Sequence, residues 1–162
     1  MAAAAGRHMN LKLEAALYRQ ITAHLCAAYP KEAAGLLLGT ATGASWDASR
    51  MLPLTNKFAH AEQYHRYLIT AEDMLEGEDH AATFGLDVVG VFHSHPDSAP
   101  QPSEYDCQHA LPWYLYLIVS ITAGEPASAR AWQLREDRSD FNEAVLEIGP
   151  AAPARPNSST FE

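Results

Sequence analysis

Cysteine is scarce: Cys26 and Cys107 are the only two in 162 residues. A disulfide framework needs more, and nothing at the start resembles a secretory signal, so a reducing cytoplasm is the expected compartment. Long apolar runs are missing too. None approaches the roughly 20 residues that span a bilayer, so no membrane-spanning helix is expected. Basic residues are few, 11 Lys and Arg against 20 Asp and Glu, for a net charge of −9. Nucleic acid and anionic membranes both bind through basic patches, so neither is an expected partner. No internal repeat is visible, which argues against a repeat array.

What remains is an ordinary globular composition, 48% hydrophobic and 19% charged. The length suits one domain with a substantial core. Met1 to Met9 (MAAAAGRHM) reads as a leader with the native start at Met9, residues 10–149 as the domain, and the Pro- and Ser-rich residues 150–162 as a disordered tail.

Within the domain, Asn10 is a plausible helix cap, and Leu13, Leu17, Ile21 and Leu25 repeat every four residues as one helical stripe. Pro30 disfavours helical geometry at Tyr29 and places the helix end there. His24 near that stripe reads as a packing or solvent-facing residue. Ala33 to Gly39 is a short apolar run bounded by glycine, a buried strand. Ser45 to Leu54 returns as a second strand, with Pro53 marking its end or an edge. Asn56 to Gln63 is a polar loop, rich in mobile groups beside the expected cleft, where His60 and His65 are placed to touch substrate. Tyr64 to Ile69 reads as a strand. Thr70 with Asp73 opens a helix from Ala71 to about Phe84, weakened by Gly77. Further strands are expected over Trp113–Ile121, Ala127–Leu134 and Phe141–Ile148, the last with Ala144, Leu146 and Ile148 inward. Strands and helices mixed without strict alternation predict an α+β, sandwich-like fold.

The informative stretch is Val88 to Asp106, VVGVFHSHPDSAPQPSEYD. Val88, Val89, Val91 and Phe92, interrupted only by Gly90, form a strand covered on both faces. Side chains at i and i+2 of a strand share a face, so His93 and His95 present two imidazoles together. Pro96 stops the ladder. Ser103-Glu104-Tyr105-Asp106 then opens a short helix to about Ala110, in which Ser103 and Asp106 project together and form a capping box. Two histidines and a carboxylate suit one tetrahedral Zn²⁺ with its fourth position open, the pattern of a catalytic site. The bland alternative is a pair of hydrogen-bonded histidines and an unrelated helix cap. Cys107 faces away from Asp106 on the helix and is taken as structural.

The string H-S-H-P, six residues, then S-x-x-D resembles the core of the JAMM (MPN+) metallopeptidases, and Glu32 in KEAAGLLLG resembles their upstream glutamate. RYLIT, YLYLIVS and ARAWQL resemble strands of the small prokaryotic members, so the likeness runs from about Leu11 to Ile148. It implies a mixed, partly barrelled β-sheet flanked by helices, layered as in cytidine deaminases, with the metal at one end and Glu32 near it. It implies one zinc per chain on His93, His95 and Asp106, Glu32 as general base and Ser103 as oxyanion donor. It further implies amide hydrolysis beside the C-terminal tail of a ubiquitin-like or sulfur-carrier protein. The short connection from Asp106 to Trp113 leaves no room there for a ubiquitin-gripping insertion. Two other readings stand beside it: an iron oxygenase built on HxH and a carboxylate, and a metal-free scaffold of the same fold. The oxygenase would want a third ligand on a later strand, and after Asp106 only His109 remains.

Overall fold

The computed structural model describes residues 8–58, 62–64 and 66–150. Seven strands are formed: β1 (Asn10–Glu14), β2 (Ala34–Thr42), β3 (Ser45–Leu54), β4 (Asp87–Pro96), β5 (Leu115–Thr122), β6 (Glu125–Leu134) and β7 (Phe141–Gly149). They close into a barrel in the order β1-β3-β2-β4-β5-β6-β7, sealed where β1 runs parallel to β7. Three helices accompany them: α1 (Ala15–Ala28), α2 (Ala71–Ala82) and α3 (Glu104–His109). This is the mixed, partly barrelled α+β fold expected.

The Val-rich stretch becomes β4, antiparallel to β2 and parallel to β5. Leu17, Ile21 and Leu25 of α1 pack on one side of the sheet with Leu37, Phe92 and Leu117. On the other side Leu36, Leu38, Val91, Tyr114 and Tyr116 pack with Ala81 of α2. A register shift against β2, where Leu37 faces Gly90 but Leu38 faces Val88, leaves Val89 as an extra residue. Such a bulge changes which face the following side chains take. From Val91 onward the odd-numbered side chains, His93 and His95 included, point to the α2/α3 side.

α2 begins on the expected Thr70–Asp73 capping box. Gly77 does not weaken the helix without return: a Cβ there would stand 2.3 Å from Leu36 Cδ1, so its absence lets α2 approach the sheet.

Three expectations are corrected. Asn10 is not a helix cap. Asn10–Glu14 form β1, with Leu11 and Leu13 buried between β3 and β7, and α1 starts only at Ala15. Leu13 has the spacing of the helical stripe and the alternation of a strand at once; pairing with β7 decides it. Tyr64–Ile69 forms no strand among the described residues: Arg66 to Thr70 carry no regular secondary structure and pair with no strand. Ile148 is 40% exposed rather than inward, because full burial on β7 is confined to Phe141 and Ala144. The expected leader and tail, apart from His8, Met9 and Pro150, lie outside the described residues, as do His60 and His65. Among the described residues, no helix is long and apolar enough to cross a membrane.

Gly90 of β4 pairs with Leu115 of β5 and leaves no room for a side chain. A Cβ on it would lie 2.4 Å from the Leu115 carbonyl oxygen, a backbone atom that cannot swing away. Gly90→Ala is therefore expected to destabilise the fold by about 1–3 kcal/mol, as overpacked interiors do, measured as a lower denaturant midpoint. An unchanged midpoint would contradict this packing.

Candidate metal centre

β4 ends with His93 and His95 on one face, His93 fully buried and His95 nearly so. α3 brings the third group. Ser103 is its N-cap: Ser103 Oγ accepts from Asp106 N (3.2 Å), and Ser103 N donates to Asp106 Oδ2 (2.8 Å). The capping box thus fixes the Asp106 rotamer and aims a buried carboxylate at β4. Asp106 Oδ1 lies 3.3 Å from His93 Nε2, Asp106 Oδ2 lies 3.3 Å from His95 Nε2, and the two Nε2 atoms are 3.2 Å apart.

These separations fit a metal. A tetrahedral Zn²⁺ at about 2.0–2.1 Å from each ligand requires ligand atoms about 3.3–3.4 Å apart. The proton positions agree. The Ala99 carbonyl can only accept, so the 2.9 Å contact to His95 Nδ1 makes that nitrogen the donor. In a neutral imidazole the Nε2 lone pair then faces the carboxylate, an arrangement that a cation between them would satisfy. The Ala99 carbonyl orients His95 as outer partners of metal-bound histidines commonly do. His93 Nδ1 is buried with no hydrogen-bond partner among the described residues. Tyr67 stacks on the His93 ring at 4.6 Å and holds its plane.

Electrostatics point the same way. Burial opposes ionisation of Asp106, but the His93 charge and hydrogen bonds from His93, His95 and Ser103 hold its carboxyl far below the usual carboxylate range. Burial pushes His93 down, against the pull of Asp106. Burial also lowers His95, but the Asp106 and Ala99 hydrogen bonds outweigh it and leave this imidazole above its ordinary value. An ionised carboxylate and a neutral His93 are the forms a metal takes.

Glu32 sits just before β2, half-buried. Burial pushes its carboxyl up to about 8; His95 pulls down and Asp106 adds to the rise. A carboxyl poised near neutrality is suited to proton transfer. Glu32 is thus within the electrostatic reach of His95 and Asp106. Cys107 stays out of the cage, its Sγ 3.8 Å from the Arg138 carbonyl oxygen.

Sequence reasoning missed the aromatic wall. Tyr105 donates from its hydroxyl to the Tyr67 carbonyl (2.9 Å), packs edge-on to the Tyr67 ring and stacks on His109 at 4.0 Å. Tyr105 was visible as the i−1 neighbour of Asp106, but nothing in its spacing linked it to Tyr67. Asn56, assigned only to a polar loop, proves to be bonded on every side.

Together these features describe a barrelled α+β domain with a buried His-His-Asp cage at one strand end. Residues 14–135 match the family described as prokaryotic homologs of the JAB domain, and the chain belongs to it. Three curated relatives are similar. The desampylase of Haloferax volcanii is 35% identical over 92 residues, 56% of this chain and 63% of that protein. The probable TtuB-protein conjugate cleaving protease of Thermus thermophilus is 29% identical over 108 residues, 67% of this chain and 68% of that one. Tail tip assembly protein K of Escherichia phage N15 is 34% identical over 109 residues, 65% of this chain but only 39% of the phage protein. The chain thus spans between about two-fifths and two-thirds of the length of the relatives it matches. Among solved structures, a Desulfitobacterium hafniense protein superimposes with a TM-score of 0.76 at 24% identity, covering 88% of this chain and 95% of that one. A JAB1/MPN domain protein from Archaeoglobus fulgidus gives 0.56 at 20% identity, covering 85% and 98%. At those identities the likeness is one of fold.

A raised Glu32 has a sign that metal-free protein can report. The unfolded carboxyl titrates near 4.3 and the folded one at about 8. Between those values the folded state holds the extra proton, so stability falls as pH rises through the window. The raised His95 acts in the same direction, whereas the depressed Asp106 withdraws stability only as pH falls into acid. Glu32→Gln should therefore raise the melting temperature of chelator-treated protein at pH 8 relative to the parent, and flatten its decline from pH 5. An equal or lower melting temperature at pH 8 would contradict the placement of Glu32.

Proposed function

We propose that this chain is a zinc-dependent metallopeptidase that hydrolyses the amide or isopeptide bond after the C-terminal tail of a ubiquitin-like or sulfur-carrier protein. The observation that carries the reading is the buried cluster of two imidazoles and one carboxylate, with His93 Nε2 and His95 Nε2 3.2 Å apart and each 3.3 Å from one of the two Asp106 oxygens. The names of the Haloferax and Thermus relatives support the substrate class.

His93, His95 and Asp106 would hold the ion, and bound there it supplies Lewis acidity, which acidifies water and polarises a carbonyl. Glu32 accepts the proton released by the attacking water and returns it to the leaving nitrogen, a task its raised carboxyl pKa suits. Ser103 Oγ already accepts from the Asp106 amide. Its own hydroxyl proton remains to be donated to the oxyanion of the substrate, an interaction whose loss costs about 2.7–4 kcal/mol where it has been measured. The side chain of Ser103 is exposed, so a substrate carbonyl can reach it.

The tail of such a substrate suits a site walled by Tyr67 and Tyr105. An extended chain without side chains can pass close to backbone and metal, so glycines are favoured before the scissile bond. The similarity to the phage tail tip assembly protein supports a second reading, in which the domain works within an assembly on another peptide. The two differ in substrate and share the metal.

Glu32→Gln is expected to keep one zinc per chain and lose most turnover, while His95→Ala loses the zinc; elemental analysis and a conjugate-cleavage assay check both. Zinc bound equally well by His95→Ala would remove that residue from the ligand set. A second assay concerns substrate. Replacing the two glycines before the scissile bond with valines should abolish cleavage, whereas changing the leaving group should only modulate it. Equal rates on glycine and valine tails would rule out the tail reading.

A further inference from the structure

The candidate base lies just outside the β-ladder. Its neighbour Ala33 is tied to β4, with Ser94 N donating to the Ala33 carbonyl (3.0 Å) and Ala33 N to Ser94 Oγ (3.0 Å), while the Glu32 peptide itself is gripped by the segment that follows β3. Glu32 N donates to the Gln63 carbonyl (2.7 Å), and the Glu32 carbonyl accepts from Asn56 Nδ2 (3.2 Å). Both residues are themselves anchored by further hydrogen bonds. Asn56 Nδ2 also donates to the Arg66 carbonyl (2.7 Å), and Asn56 Oδ1 accepts from Phe58 N (3.1 Å) and Leu68 N (3.2 Å). Gln63 Nε2 ties the neck of the segment by donating to the Asn56 carbonyl (3.1 Å) and the Phe58 carbonyl (2.9 Å).

An asparagine offers two donors and an acceptor oxygen with two lone pairs, and Asn56 uses all of them. Isolated side-chain hydrogen bonds contribute little, but a fully satisfied network rigidifies what it encloses. Here it encloses the peptide of Glu32 on one side and, through Arg66 and Leu68, the stretch bearing Tyr67 on the other. Tyr67 stacks on His93. One asparagine therefore links the peptide of the base to the stretch that packs on one face of the cage, while the neighbouring Ala33 is bonded to Ser94.

We propose that Asn56 and Gln63 act as one clamp that positions Glu32 against the metal centre; this rests on Glu32 being the base, as argued above. They are positioning residues: their hydrogen bonds go to Glu32, Phe58, Arg66, Leu68 and one another, and none of these goes to His93, His95 or Asp106. Small misplacements of a reacting group can lower rates by about a hundredfold while leaving binding intact. The clamp should therefore appear in kcat and not in KM.

The test compares Asn56→Ala, Gln63→Ala and the double variant with the parent, each loaded with zinc. The expected result is kcat lower by about a hundredfold in each single variant, KM within about threefold, and zinc content unchanged. The double variant should be no worse than the worse single one, since the two act as a unit. A second measurement does not depend on turnover. Amide hydrogen exchange in metal-free protein should lose protection at Glu32 and Leu68 in Asn56→Ala, while Phe92 and Leu117 in the core stay protected. Exposed amides with unchanged kcat would overturn the proposal, and so would protected amides in the variant. Loss of zinc or of core protection would reduce Asn56 to a folding role and overturn it equally. A parent enzyme that cleaves no conjugate would instead defeat the functional reading, before any variant is compared.

Discussion

A carboxylate buried to 3% exposure between two imidazoles is the constraint on which this structure turns. Taking an ionised carboxyl out of water is costly unless its oxygens are met by donors or a cation. Asp106 meets this in two ways. Its own helix supplies the Ser103 amide through the capping box, and the end of β4 supplies the two histidines. Removing either side would leave a buried charge with half its partners. A six-residue helix, too short to be stable alone, is thus held by its carboxylate against β4 and by the contacts of Tyr105 with Tyr67 in the segment after β3.

The sheet and the segment after β3 divide the remaining work. β4 pairs with β2 from Asp87 to His93 and with β5 from Gly90 to Pro96, and a bulge near Val89 decides that His93 and His95 face α3. Rigid strand geometry suits ligands, whose positions must hold to a few tenths of an ångström. Glu32 lies just before that lattice, where its carbonyl accepts one side-chain hydrogen bond from Asn56 and its amide donates to the Gln63 carbonyl. The ladder thus fixes the ligands, and a polar network adds a second hold on the base.

Much of the centre was legible in the sequence because it is local. His93 and His95 are two residues apart on a strand, Ser103 and Asp106 three apart on a helix, and such spacings translate directly into shared faces. The barrelled fold came through resemblance rather than periodicity. What failed depends on distant pairing. Leu13 fitted a helix until β7 was known to lie beside it, and Tyr64–Ile69 has the composition of a strand but no neighbour to pair with. There Asn56 substitutes for a partner strand, accepting from the Leu68 amide and donating to the Arg66 carbonyl. A side chain ten or more residues away leaves no periodic trace. The outward turn of Ile148 was equally hidden, since alternation predicts two faces but not which of them is covered.

The central claim is that these three side chains form a zinc site with one open position, and zinc K-edge X-ray absorption of protein loaded with one equivalent tests it most directly. The account predicts four light neighbours, two of them imidazole nitrogens, at about 2.0–2.1 Å. A sulfur neighbour near 2.3 Å, which would implicate Cys107, or a spectrum unchanged by His95→Ala, would contradict it.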